Sequence, residues 1–305
     1  SGYVELDQML AGLQPGALVV LGARPAMGKC LAWDTELVDP STGRLVTMER
    51  AHLQGQTGDP LRVHVLDDEL RLATRTPSDH IDDGHKPVVR VTTALGRSIR
   101  CTWTHPFRTV EGWRPLQELA VGERIAVPRR LPVFGSVRLG DQAVASLAGD
   151  VAEQLGRPDG TIPVQVHELV EDSLAQVLER VFSSAAHVSI DGDRHGDRAR
   201  IAIPAASARL ARGVQHLLLR FGVIAVVEAD GQLVVAHRPS LRTFVDRIAV
   251  HSRSESFRVA TDAVRRDAAA PVLLGVGAGP APETGSFDEA LAAEGLERLA
   301  ASDVW

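Results

Sequence analysis

Residues 22–37 read GARPAMGKCLAWDTEL, and the fold turns on how the chain continues past position 30. Gly22 to Lys29 gives G-x-x-x-x-G-K, approached by the turn signal Pro15-Gly16 and the short apolar run Leu18, Val19, Val20, Leu21, which reads as a strand. In a strand–loop–helix unit of this kind, Gly22 and Gly28 let backbone N–H groups curl around phosphates and Lys29 reaches the β and γ oxygens. The next residue should be a serine or threonine that holds Mg²⁺. Cys30 stands there, and a thiol is a poor ligand for that ion. An amphipathic helix should come next, its N-terminus toward the phosphate. The chain instead continues LAWDTELVDPSTGRLVTM, a strand-like alternation broken by Asp39-Pro40 and Thr42-Gly43. The nucleotide site is therefore cut between Lys29 and Cys30.

Composition narrows the rest. With 305 residues, 44% of them hydrophobic, and a net charge of −6, the chain can bury one large or two ordinary cores. No stretch approaches the roughly 18 to 20 uninterrupted apolar residues of a membrane helix, and SGYVELDQML has neither the basic flank nor the apolar run of a signal peptide. A soluble, cytoplasmic protein without a membrane partner is expected. Two cysteines make no disulfide framework, so Cys30 and Cys101 are read singly. Mild acidity gives no support for a nucleic-acid surface over the whole chain. Lys29 and Lys86 are the only lysines, and there is no asparagine.

The lead-in LDQMLAGLQPGALVVLGARPAMGK resembles the RecA-like ATPase domain of the DnaB-type replicative helicases, over residues 1–29 alone. From Cys30 to Arg130 the chain resembles the N-terminal splicing region of an intein, of the hedgehog-intein (Hint) fold. Three pieces carry this in the expected order: CLAWDTEL at 30–37, SDHIDDGHKPVVRVTTALGRSIRCTWTHPFRT at 78–109 with its T-x-x-H motif, and GWRPLQELAVGERIAVPRR at 112–130. The resemblance implies a mainly β domain, Cys30 as first nucleophile, and Thr102 and His105 as its helpers.

The chemistry asks for these residue types. Splicing begins when a thiol attacks the carbonyl of the peptide bond before it, so the nucleophile must be the first residue of the element, here next to Lys29. A thiol of pKa about 8.5 is only a few per cent thiolate at neutral pH, and the departing amine must gain a proton. A histidine can serve both needs, and His105 is the candidate. The Thr102 hydroxyl and nearby N–H groups would polarise the scissile carbonyl. Cys101, on the other side of the same strand, reads as core packing; a reversible disulfide with Cys30 is the alternative.

From residue 131 the pattern becomes mixed. SLAQVLERVFSSAA (173–186) sets Leu174, Val177, Leu178, Val181 and Phe182 on one helical face; HVSID and RARIAIPA read as strands about GDRHGD; ASARLARGVQHLLLRFG sets Leu210, Val214, Leu217, Leu218 and Phe221 on another face, with Gly222 as the stop. VIAVVEAD and GQLVVAHR form a hairpin across Asp230-Gly231, and PSLRTFVDRIAV is a third helix. Helix, strand, strand, helix, strand, strand, helix resembles one unit of a LAGLIDADG homing endonuclease, an α/β domain commonly inserted in inteins. Such nucleases hold metal with an acid at the end of each of two helices. SLAGDVA offers Asp150, but VFSSAAH has Ala185 or Ala186 where the second acid belongs, so an inactive relic is expected. Arginines between 198 and 247 could keep weak, salt-sensitive DNA binding, or serve as a solvated helix face. The loop DGDRHGD fails as a calcium site, because His195 and Ala202 stand where ligands are needed. His52, His64 and His167 show no ligand spacing, and no metal site is expected.

The expected organisation is 1–29, an N-extein with an interrupted Walker A motif; 30–130, the splicing region; 131–267, the degenerate endonuclease-like domain; and 268–305, an Ala-Gly-Pro-rich linker and a helix. Splicing would need no cofactor. ATP and Mg²⁺ would serve only the spliced host helicase, whose partner is DNA. The resemblance also implies a C-terminal intein segment and C-extein as partners, since the succinimide step needs a terminal asparagine. This chain would be a single-turnover self-processing element. Two other readings stay open: a P-loop ATPase fragment, which would bind nucleotide, and a DNA-binding remnant on 131–266, which would show a steep salt dependence.

Overall fold

The computed structural model describes residues 30–193, 196–252, 254, 255, 257, 258, 261, 262 and 264. The interrupted phosphate loop with Gly22, Gly28 and Lys29, and the expected linker and helix of 268–305, lie outside the described residues.

Residues 30–130 fold as four antiparallel two-stranded ribbons: β1 (Glu36–Val38) with β2 (Leu45–Thr47), β3 (Val63–Leu66) with β4 (Leu72–Arg75), β5 (Val89–Thr92) with β6 (Ser98–Cys101), and β7 (Pro106–Thr109) with β8 (Gly112–Pro115). The β1–β2 turn is set by its residues. Asp39 accepts from Ser41 N at 2.8 Å and Thr42 Oγ1 at 2.6 Å, and Gly43 takes φ +75° to close it. One element was not expected: α1 (Met48–Gln56) begins inside VTM, which the alternation read as strand. Thr47 caps it by accepting from Arg50 N, a cap signal that the period-two reading passed over. Only Ala51 of that helix is buried, so no apolar stripe announced it.

This half has little core of its own. Its buried apolar side chains are Ala51, Leu61 and Cys101, while Trp33, Trp103 and Trp113 are 45%, 53% and 61% exposed. Two-stranded ribbons are marginal in isolation, so their stability must come from the body beneath them.

That body begins at Leu131. It comprises α2 (Asp141–Leu155), α3 (Val164–His167), α4 (Glu171–Ala185), β9 (His187–Asp193), β10 (Gly196–Ile203), α5 (Ala208–Arg220), β11 (Val226–Val227), β12 (Leu233–Val235) and α6 (Arg238–Arg247). The strands form one antiparallel sheet in the order β11-β12-β10-β9, with Ile201 opposite both Val188 and Val235. The apolar faces of α4 and α5 are buried as their spacing predicts, and each such side chain contributes about 1.5–3 kcal/mol. Phe182 and Phe244 meet edge to face at 4.9 Å between ring centres. Gly222, at φ +83°, comes just after the end of α5. The helix-strand-strand-helix-strand-strand-helix order from α4 to α6 is as the periodicity indicates. The strands differ in length: β9 and β10 run into GDRHGD as far as Asp193 and Gly196, so most of that stretch is ladder, and VIAVVEAD keeps only Val226 and Val227 as strand.

Two ribbon tips dock on this body. The β5–β6 turn offers Leu95 O to Gln215 Nε2 at 2.7 Å and to Val227 N at 3.2 Å. The β1–β2 turn packs so tightly that a Cβ on Gly43 would lie 2.6 Å from His167 O. Arg220, fully buried, reaches from α5 to that turn, donating to Gly43 O, to His167 O at 2.8 Å and to His167 Nδ1 at 3.1 Å.

Candidate functional site

Cys30 opens a short extended segment that lies antiparallel to the end of β6. Leu31 bridges Cys101, Ala32 N donates to Arg100 O at 3.0 Å, and Thr102 N donates to Cys30 O at 3.1 Å. The T-x-x-H stretch is a turn: His105 N donates to Thr102 O at 3.0 Å. The 3-10 turn that follows β8, Leu116–Glu118, holds that turn from outside, Leu116 N reaching His105 O at 2.9 Å and Gln117 N reaching Trp103 O at 2.8 Å. Backbone hydrogen bonds thus tie Cys30, Thr102 and His105, which stand 75 positions apart at the extremes of sequence, into one local frame. Thr102 is buried, its hydroxyl 3.5 Å from that of Thr104, and the His105 ring stands edge-on to Phe107 at 5.4 Å.

The Cys30 thiol has a partner that sequence reasoning did not single out. Its Sγ donates to Asp83 Oδ2 at 3.2 Å, and the same carboxylate oxygen is ion-paired with Lys86. The Cys30 thiol is pushed up from its ordinary value, first by partial burial and then by the Asp83 hydrogen bond and charge, with Lys86 pulling the other way. Asp83 is held below the usual carboxylate range, chiefly by Lys86, and Lys86 is raised by Asp83. A signal was there: Lys86 is one of only two lysines, three residues from Asp83 across Gly84, at φ +71°, in a loop already inside the matched stretch.

Cys101 is fully buried at the end of β6 opposite Val89, burial raising its thiol, and both cysteines are free.

In the second half the two nuclease positions are not equivalent. Ala185 is the last residue of α4. Asp150, expected at a helix end, lies inside α2, five residues before Leu155, and is exposed. Val151 and Leu155 extend the helix past the expected end because both are buried in the core. The arginines are partly engaged: Arg200 pairs with Glu228 at 2.7 Å, Arg247 with Glu171, and Arg220 is internal. Among the described residues no group of three His, Cys, Asp or Glu side chains is arranged to hold a metal ion, and no helix is long and apolar enough to cross a membrane.

Known proteins share parts of this chain. Residues 1–39 match the family described as DnaB-like helicase C terminal domain. The chain is similar to the replicative DNA helicase DnaB of Rhodothermus marinus, 32% identical over 157 residues, which is 51% of this chain and 16% of that protein. It is similar to Protein RecA of Mycobacterium bovis, 34% identical over 107 residues, covering 35% of this chain and 13% of that one. The crystal structure of a variant of the Ssp DnaB mini-intein is 28% identical, covers 36% of this chain and 66% of that chain, and superposes with a TM-score of 0.30. The chain thus spans about a sixth of the length of the helicase it matches.

Proposed function

We propose, for a chain that carries an intein within a DnaB-type helicase, that residues 30–130 perform the first step of autocatalytic protein splicing at the Lys29–Cys30 bond. One observation carries this reading: Thr102 N binds Cys30 O at 3.1 Å and His105 N binds Thr102 O at 3.0 Å, so the T-x-x-H turn frames the residue whose amide nitrogen belongs to the bond to be broken. The RecA likeness supports it. Its 107 aligned residues cannot fit within the 39 matched to the helicase domain, so a stretch beyond them is shared by two differently named proteins.

In the proposed step Cys30 Sγ passes its proton to His105 and attacks the Lys29 carbonyl carbon. The carbon–nitrogen bond breaks as a carbon–sulfur bond forms, and the Cys30 nitrogen leaves as an amine after taking a proton. His105 supplies that proton, and Thr102 with the turn's N–H groups stabilises the developing oxyanion. The product is a thioester at Lys29. No nucleotide takes part; ATP, Mg²⁺ and DNA belong to the proposed activity of the spliced host helicase. Residues 131–267 act as a scaffold derived from a LAGLIDADG-like unit, a reading supported by the α4-to-α6 element order and by alanine at position 185.

Intact mass after incubation with excess thiol at neutral pH tests the proposal. A fragment ending at Lys29, formed by the unaltered chain and absent from Cys30→Ala and His105→Ala, is the expected result. Release of that fragment from Cys30→Ala would refute it.

A further inference from the structure

The Cys30 thiol donates its hydrogen bond to Asp83 Oδ2 at 3.2 Å, and that oxygen is also the acceptor of the Lys86 ammonium. A carboxylate so placed could play either of two opposite parts. As a general base it would take the thiol proton and speed attack. As a fixed negative charge it would disfavour a second negative charge on the sulfur and so keep the thiol protonated. The geometry decides between them. A carboxylate whose charge is already stabilised by an ammonium is a poor proton acceptor from a thiol, and Lys86 is turned to the carboxylate.

We propose that Asp83 is a positioning residue for the nucleophile: its carboxylate, held by Lys86, accepts the Cys30 thiol hydrogen bond and keeps the sulfur protonated and in place until the Asp83 contact opens. This rests on the splicing role of Cys30. Lys86, bound to that same oxygen, pulls the other way on the sulfur and limits how far Asp83 disfavours the thiolate. The other groups around Cys30 are Thr102 and His105 in the turn that binds its carbonyl, the buried Cys101, and Arg100, which is ion-paired with Asp34. The thiol shift has the matching direction, upward first through partial burial and then through Asp83, and downward through Lys86.

The test is the pH dependence of Cys30 alkylation by iodoacetamide in the full chain, read by peptide mass spectrometry so that Cys101 is scored apart. Asp83→Asn keeps the shape and removes the charge. Its alkylation at pH 7 should rise about fivefold, the factor that one unit charge at about 4 Å through water corresponds to, with the pH–rate curve moved to lower pH. Lys86→Met should move the curve to higher pH, and Asp83→Glu should restore the original one. A slower Asp83→Asn, as a general base predicts, or a changed plateau without a moved midpoint, as a merely structural residue predicts, would overturn the proposal. Thiol-induced cleavage after Lys29, measured on the same variants, separates the two ideas: a moved alkylation curve with no cleavage in any variant upholds Asp83 and removes the splicing role.

Discussion

Replacing Arg220 by methionine should be among the most damaging single changes in this chain, although Arg220 touches none of the proposed chemistry. The guanidinium is fully buried, with its pKa lowered to about 10 by loss of solvent, so it remains charged at neutral pH. It donates to His167 O at 2.8 Å and to Gly43 O, and it lies 3.1 Å from His167 Nδ1 and 3.4 Å from His216 Nε2. Two effects oppose each other in Arg220→Met. Removing a buried charge gains back its desolvation, and where the whole ion pair is exchanged for apolar groups that gain can win. Here the acceptors are backbone carbonyls that no side-chain change removes. Each would lose a charge-assisted bond worth about 1.5–3 kcal/mol and be left buried. A net loss of about 2–4 kcal/mol is expected, which with a urea m-value of about 2–3 kcal/mol/M lowers the midpoint by about 1 M. Arg220→Lys, which keeps the charge but not the fork, should fall between. The assay is urea unfolding at pH 7 monitored by tryptophan fluorescence, which reports residues 30–130 through Trp33, Trp103 and Trp113. A midpoint for Arg220→Met within about 0.3 M of the unaltered protein, on the scale of that roughly 1 M shift, would refute the argument.

The same cluster predicts a pH dependence. A guanidinium can only donate, so the ring nitrogens facing it are acceptors and both histidines are neutral; burial and then Arg220 push His167 down to about 4 and His216 well below its ordinary 6.5. Between about pH 6.5 and pH 4 the unfolded chain binds protons that the folded chain refuses, so stability is full above pH 6.5 and falls by about 1.4 kcal/mol per pH unit for His167 as pH drops. The urea midpoint at pH 5 should lie below that at pH 7, with a smaller difference in His167→Gln; equal midpoints for the unaltered protein would sink the assignment. For residues 131–267, incubation of supercoiled plasmid with the chain and Mg²⁺ should give no nicked or linear product, and Asp150→Ala should leave that unchanged; cleavage abolished by Asp150→Ala would show a working nuclease site.

Much of the architecture was legible because apolar spacing and burial coincide. Leu174, Val177, Leu178, Val181 and Phe182 could be placed on one face from sequence, and all five are buried. Short elements were less legible. A helix of nine residues that buries only Ala51 leaves no periodic trace, and β11 is two residues long because its pairing is limited to Val226 and Val227 against β12. At the candidate site, Cys30, Thr102 and His105 were found from motif order and chemical type. Asp83 was not, because its role depends on a loop folding back 53 positions toward Cys30, and a local pattern such as DDGHK reads equally well as a solvated turn.

The placement of the site reflects an unequal division of stability. The ribbons of residues 30–130 bury too little to hold their own shape, whereas the body from Leu131 onward has a continuous core. The ribbon that carries Cys101 and leads into Thr102 is anchored at its opposite end, where Leu95 O is held by Gln215 Nε2 and Val227 N, while Gln215 is itself braced by Ala225 O at 2.8 Å. The β1–β2 ribbon, which continues from the Cys30 segment, is anchored at its own far turn by Arg220. Both strands that meet at Cys30 and Thr102 are therefore fixed from their distant tips, and the end bearing the thiol is joined mainly by the Thr102–Cys30 and Ala32–Arg100 backbone bonds. A rigid base with a lightly held end suits the proposed role of Cys30, in which the thiol exchanges one partner, Asp83, for another, the carbonyl of Lys29. Mutations in the body should thus change how often the site is correctly formed, and mutations in the 79–86 loop should change how readily the thiol reacts once it is.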